Sequence, residues 1–556
     1  MLETARFSIF YFCVIMINTL ALSIAKRRIR ISLTTSMQDA LYLSFLIKIK
    51  RGFPSMLFNS VVYITIFQPV VIGGWYLLQR LKNPVWSKIF LFGMSLLFYG
   101  YYNFYYVGIL IASLLLNYGC SILLRKACSD KIRRFILTAG ILGNLGILFY
   151  FKYFNFFIDN CNFFLHTHIS IEKIALPLGI SFFTFQQISY IIERFRRNAD
   201  CHSFLDYGCF ITFFPQLIAG PIVMHNEWIP QLHNWRRRPK TADDFYHGAA
   251  LFILGLAKKV LLADSLAVPV NLEFDNIPYL DAPSAWVTII FYMMELYFDF
   301  SGYCDMARGI GKMMGFNLPV NFRSPLMAVS VRDFWRRWHI TLSRFLTQYI
   351  YIPLGGNRRG IRRQCFNIFI VFLASGFWHG ANWTFVIWGL LHGTAMIAET
   401  LFSSIPPILA GADVRKKRFR FPFEKLNRLL TGIFVTLSFS IFRSDSLTDA
   451  ALLWKKLFAG GYNGMIFGIS NTLCFPENYA LNKMVSMYFP QYSNTLFLFY
   501  LLLLLACGIF FIRGMDAEQW IEKRGKTTLG AFCLATLFTW SFISLSQVSV
   551  FLYFNF

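Results

Sequence analysis

Apolar stretches of about twenty residues recur along this chain, and they settle its fold class before any motif is read. That length is what an α-helix needs to cross the hydrocarbon core of a bilayer. The stretches fall near 7–25, 57–78, 88–103, 105–124, 136–152, 174–192, 208–223, 248–264, 286–303, 365–379, 383–401, 429–442, 495–513 and 529–547. None alternates apolar and polar positions as a membrane-spanning β-strand must. The chain therefore reads as an all-α polytopic membrane protein, with some segments re-entering rather than spanning. Only 15% of its 556 residues are charged, against about 25% in a soluble domain.

The charge it does carry is basic, with 53 Lys and Arg against 28 Asp and Glu. Short clusters at Lys26–Arg30, Arg194–Arg197, Arg236–Lys240, Arg358–Arg363 and Arg415–Arg420 stand beside apolar runs. This is the pattern of cytoplasmic loops and anionic headgroup contact. No nucleic-acid motif accompanies it, so bilayer lipid is the expected partner and nucleic acid is not. The eleven cysteines are scattered without a CxxC pair, which supports neither a disulfide framework nor a metal site. Residues 1–55 carry one apolar segment and then "KRRIR", whose charge argues against a cleaved leader. They read as an extension ahead of a second possible start at Met56.

Two segments carry polar residues where an apolar chain should not. The first is "SGFWHGANWTFVIWGLLHG", residues 375–393, with His379, Asn382 and His392 in an apolar, aromatic run. A polar ring in hydrocarbon needs a partner or a function. In one continuous helix Asn382 and Trp383 share the face of His379, and His392 lies about 20 Å farther along. A histidine in a water-poor cavity suits general-base work, with Asn382 orienting it or facing an oxyanion. The same ring could equally be a structural hydrogen bond between helices. The second segment is 316–364. From Ser330 it reads as an amphipathic helix, with Asp333 one turn before Arg337, His339 inside it, and a break at Pro353 and Gly355–Gly356. Upstream, Glu295, Asp299 and Asp305 cluster in "ELYFDFSGYCDMA". Intramembrane acids suggest a proton or ion path, or pairing with the arginines at 332–337. No HExxH, GxSxG or P-loop occurs.

Taken together, "LPLGISFFTFQQISYII" at 176–192, "FFPQLIAGPI" at 213–222, "ELYFDFSGYCDMARGIGKMMGF" at 295–316, "FWRRWHITLSRFLTQYIYIPLGGNRRG" at 334–360 and "FWHGANWTFVIWGLLHG" at 377–393 are specific. The chain resembles the membrane-bound O-acyltransferase (MBOAT) family, and within it the bacterial branch of the alginate O-acetylation membrane protein. Glu193 and Glu295 stand where that branch usually shows Asp and Gln. The resemblance implies one transmembrane domain over 56–556, with a catalytic core at about 174–400. Its fold would be a ring of tilted and broken helices around an intramembrane reaction chamber.

The activity implied is acetyl transfer from a cytoplasmic acyl thioester, acetyl-CoA or another, for O-acetylation of an extracytoplasmic polysaccharide at the inner membrane. The polymer could be alginate-like or peptidoglycan. The resemblance makes His379 and His339 the catalytic pair, with His379 as base and His339 orienting the donor or stabilising charge, or the reverse. Trp378, Asn382 and Tyr303 would line the chamber. Arg358 and Arg359 would steer an anionic donor, unless they contact lipid. No tightly bound cofactor or metal is implied. A separate periplasmic partner resembling SGNH hydrolases is, because no such domain occurs in the chain. The rival readings are D-alanyl transfer to teichoic acid and, in another class, a proton-coupled transporter using Asp299, Asp305 and His379.

Overall fold

The computed structural model describes residues 56–170, 174–198, 200, 202–237, 241–403, 420–466, 479–513, 516–545 and 551–552, and no strand occurs among them. Residues 1–55, including the run 7–25, lie outside the described residues, as do 238–240 and 415–419 of two basic clusters. The apolar runs become helices α1 (Tyr63–Leu78), α2 (Val85–Tyr102), α3 (Phe104–Lys126), α4 (Asp130–Leu165), α5 (Ile180–Phe195) and α6 (Phe204–Thr212). There follow α7 (Ala242–Ala257), α8 (Asp264–Phe274) and α9 (Ala282–Met313). The last part holds α10 (Val331–Arg337), α11 (Ile340–Leu346), α12 (Ile361–His379), α13 (Trp383–Ser403), α14 (Arg420–Arg443), α15 (Leu447–Ala459), α16 (Ser493–Arg513) and α17 (Thr528–Ile543). Of these, α3, α4 and α13 are long and apolar enough to cross a bilayer, as is the segment Pro490–Phe510 containing most of α16.

Local chemistry sets the helix starts. Asn103 accepts from Tyr105 N, Ser129 from Ile132 N and Asp281 from Ser284 N, each occupying a donor that the first turn leaves unpaired. The run 208–223 is not one helix. It breaks after Thr212, and a four-residue turn, Phe214–Leu217, restarts around Pro215, because proline suits a first turn and not an interior.

Glycine brings the central helices together. Gly248 and Gly255 on α7 meet Gly309 and Gly302 on α9. A Cβ on Gly248 would lie 2.7 Å from the Gly309 carbonyl oxygen, and one on Gly255 2.6 Å from that of Gly302. The two pairs repeat at seven residues, so one face of each helix carries the seam. Small residues in register let membrane helices touch backbone to backbone. A second such contact joins α12 and α13, where a Cβ on Gly376 would lie 2.5 Å from the Phe385 carbonyl oxygen. That pair is an antiparallel hairpin, and it reshapes the histidine geometry expected from sequence.

Candidate active site

His379 is the last residue of α12; Gly380 after it is fully extended. A helix end leaves its final carbonyls without partners. Here two neighbouring side chains of α4 supply donors. The Tyr153 hydroxyl donates to the Phe377 carbonyl at 2.6 Å. The Lys152 ammonium donates to the carbonyls of Trp378 at 2.6 Å and His379 at 2.9 Å. Both side chains sit on a π-turn, Phe149–Tyr153, that interrupts α4, a distortion frequent at functional sites. A cation at a helix C-terminus is also favoured by the helix dipole. The imidazole of His379 is buried among the rings of Trp378, Trp388 and Phe442, with centroids 4.9, 5.1 and 5.2 Å away.

His339 does not lie inside a helix. The amphipathic segment breaks there into α10 and α11, and His339 takes the left-handed conformation, φ 45° and ψ 51°. For a residue with a Cβ this costs about 1–2 kcal/mol, so the surroundings must impose it. Asn321 does so. Its carbonyl oxygen accepts from Ile340 N at 3.0 Å. Its Oδ1 accepts from Thr341 N at 3.1 Å and Thr341 Oγ1 at 2.9 Å, and lies 3.2 Å from His339 Nδ1. The Thr341 N–H can only donate, so the atom facing it is the amide oxygen. The same oxygen then requires the proton of His339 on Nδ1, leaving the lone pair on Nε2. The expected Asp333–Arg337 pair forms within α10, at 2.8 Å.

The two histidines, forty residues apart in sequence, meet on one ring. Trp378 has its centroid 5.9 Å from His339 and 4.9 Å from His379. Phe185 stacks on the same indole. Three of the residues chosen from sequence thus come together.

The expected helical face of Asn382, the distance to His392 and the pairing of Asp299 and Asp305 need correction, and the other residues take the positions that follow. Asn382 does not share a helical face with His379, because α12 ends before it. Its Oδ1 accepts from Thr384 N at the start of α13, and its Nδ2 donates to the Asp445 carbonyl. Trp383 points to Asn160 on α4. His392 is not about 20 Å away along one helix; the hairpin folds it back so that Trp388 stands between it and His379. Tyr303 packs on Phe58 and Phe551. The residue of α9 that touches His339 is Phe300, at 4.9 Å. Arg358 and Arg359 lie exposed in the turn before α12. Asp299 and Asp305 do not pair with the arginines of α10. They pair with Lys259 and Lys258, both at 2.6 Å, on a π-turn that follows α7.

Sequence reading missed Lys152 and Asn321. The signal for Lys152 was present: a lone lysine closing the apolar run 136–152. Asn321 gave none, since its role depends on a contact eighteen residues downstream.

Residues 148–407 match the profile of MBOAT, the membrane-bound O-acyltransferase family. Over 553 residues the chain is 37% identical to the peptidoglycan O-acetyltransferase of Helicobacter pylori, covering 92% of this chain and 100% of that protein. It is 36% identical over 418 residues to the probable alginate O-acetylase AlgI of Pseudomonas putida, covering 73% and 81%. The teichoic acid D-alanyltransferase of Bacillus subtilis matches less, 27% over 236 residues, covering 40% and 59%. An all-helical, multi-pass membrane enzyme that transfers acyl groups to oxygen is the class these findings define. The chain belongs to the membrane-bound O-acyltransferase family, and its reaction is O-acetyl transfer.

Proposed function

We propose that the protein takes an acetyl group from a cytoplasmic thioester, acetyl-CoA or an equivalent, and delivers it through the membrane for O-acetylation of a cell-envelope polysaccharide. Peptidoglycan is the acceptor polymer favoured by the relative matched along its whole length. A separate periplasmic protein of the SGNH type completes the transfer to the polymer. The helices around the two histidines form the ring whose interior is the reaction chamber, in the inner membrane. The basic turn at Arg358–Arg359 faces the cytoplasm and steers the anionic donor.

The observation that carries this reading is the single indole, Trp378, against which two buried imidazoles rest. His379 is the base. It removes the proton of the attacking hydroxyl, worth about 10²–10⁴ in rate. The acetyl–oxygen bond forms as the acetyl–sulfur bond breaks, and the proton passes to the departing thiolate. His339 has its tautomer fixed by Asn321. Its Nε2 is therefore an acceptor in the neutral ring, which suits accepting from an N–H or O–H of the bound substrate other than the reacting hydroxyl, rather than donating to an oxyanion. The test is a comparison of cell-envelope polysaccharides by NMR, with and without this protein. Loss of O-acetyl signals in its absence is expected, and unchanged acetylation overturns the proposal.

A further inference from the structure

A cavity of about 60 Å³ adjoins the end of α12. Its lining includes His379, Trp378, Lys152 of α4, Ile218, and Ser181 and Phe182 in the first turn of α5. One water needs about 10–15 Å³, so the space takes a group of a few heavy atoms, such as acetyl. Phe182 stands edge-on to the Trp378 indole, with centroids 5.4 Å apart. The cavity therefore borders the ring that both histidines meet. No carboxylate lines it among the described residues, so the Lys152 ammonium faces no counter-charge there.

An ammonium has three protons to donate. Lys152 places two of them on the carbonyls of Trp378 and His379, at 2.6 and 2.9 Å. The third finds only Ser181 Oγ, at 3.5 Å, beyond the usual N–H···O range of about 2.7–3.2 Å. Ser181 is itself buried, and its hydroxyl proton has no acceptor among the described residues. Two donors thus converge on a small space beside the base with nothing between them to receive their protons. A tetrahedral intermediate of acyl transfer needs donors aimed at the oxygen that becomes negative. His339 does not supply one, because its Nδ1 proton is held by Asn321 and its Nε2 accepts.

We propose that Lys152 and Ser181 are catalytic residues that stabilise this oxyanion, with the acetyl group seated in the cavity between them and His379. The inference rests on the acyl-transfer reading above. The attacking hydroxyl oxygen bonds to the acetyl carbon while His379 takes its proton, and the carbonyl electron pair moves onto the acetyl oxygen. Lys152 and Ser181 donate to that oxygen while the charge stays on it. The pair then returns as the carbon–sulfur bond breaks, and the thiolate leaves with the proton. Lys152 so holds the end of α12 with two protons and serves the reaction with the third.

The test uses the full-length protein in detergent and two analogues of acetyl-CoA that compete with the labelled thioester. One is a coenzyme A thioether bearing a trifluoroacetonyl group; the other is its unfluorinated acetonyl counterpart. Water adds to the fluorinated carbonyl to give a tetrahedral adduct whose oxygen can carry the charge, and the plain ketone stays trigonal. The unaltered protein should bind the fluorinated analogue at least about a hundredfold more tightly, as enzymes bind transition-state analogues. Lys152→Met should cut that preference at least about tenfold and Ser181→Ala about threefold, each with little change in affinity for the plain ketone. Tyr153→Phe loosens the same helix end but touches neither donor, and should keep the preference within about twofold. Equal binding of the two ketones by the unaltered protein overturns the proposal. So does an unchanged preference in Ser181→Ala, or a loss in Tyr153→Phe as large as that in Lys152→Met, which would leave Lys152 a purely structural clamp. If acetyl-CoA itself does not bind, the acyl-transfer reading fails and the proposal with it.

Discussion

His379 and His392 lie thirteen residues apart, are both buried, and sit among aromatic rings on the two arms of one hairpin. Their surroundings differ in what is held. At His392 both ring nitrogens are engaged. Trp335 Nε1–H donates to Nδ1 at 3.3 Å, and Nε2 lies 2.9 Å from Ser438 Oγ, which donates onward to the Val435 carbonyl. Because an indole N–H can only donate, Nδ1 is the acceptor and Nε2 carries the proton. The ring is a link in a chain of hydrogen bonds and has no nitrogen left for chemistry. At His379 the lysine and tyrosine of α4 grip the backbone carbonyls, and the ring meets the indole it shares with His339. His392 is held through both ring nitrogens, and the end of α12 that carries His379 is held through its main-chain carbonyls.

The sharpest way to break this contrast is at the pair itself. His379→Ala and His339→Ala should each lower acetyl transfer by about 10²–10⁴. The double variant should be no worse than the poorer single one, because groups acting as a unit are non-additive. Multiplying losses in a kinetic comparison would show the two act separately. Next comes the support of His339. Asn321→Leu should cost about 10² in transfer through misplacement of the ring, while Asn321→Asp, which keeps the acceptor oxygen, should recover most of it. Equal losses in the two would make the side-chain oxygen irrelevant.

The support of His379 should matter somewhat less. Lys152→Met should reduce kcat about tenfold or more with little change in KM for the donor, and Lys152→Arg should restore part of it. A rise in KM at unchanged kcat would place Lys152 in donor binding instead. The smallest effect on rate belongs to His392. His392→Ala should keep transfer within about threefold yet lower stability by about 1–3 kcal/mol, because Trp335 is left with an unsatisfied buried donor. Thermal unfolding in detergent reads this directly. Loss of activity with unchanged stability would reverse the roles assigned to the two histidines.

How much of this was legible in the chain depends on whether the deciding contact is local. The helices were, since each apolar run carries its own requirement to bury backbone polar groups. His379 stood out as a polar ring in an apolar segment. The kink at His339 was hidden because Phe334, Trp335, Trp338, Leu342 and Phe345 keep a three-and-four spacing across it. The pattern of side chains survives while the backbone turns over, and the cause lies in Asn321. Asn382 was misplaced for a more readable reason: Gly380, directly after His379, is an ordinary place for a helix to stop. The pairing of the hairpin arms, which returns His392 to the site, needed the glycine contact between α12 and α13 and could not be seen from either arm alone.

The glycine seam between α7 and α9 has a mechanical consequence. Where two backbones touch with no side chains between them, sliding one helix past the other drives carbonyls into Cα atoms. The two helices therefore move as a single plank. That plank holds the Lys258–Asp305 and Lys259–Asp299 bridges on one side and presents Phe300 to His339 on the other. A carrier that exposes its cargo first to one face and then to the other needs walls that rock. Here the wall behind His339 is stiff, so acetyl transfer takes place against a stationary frame.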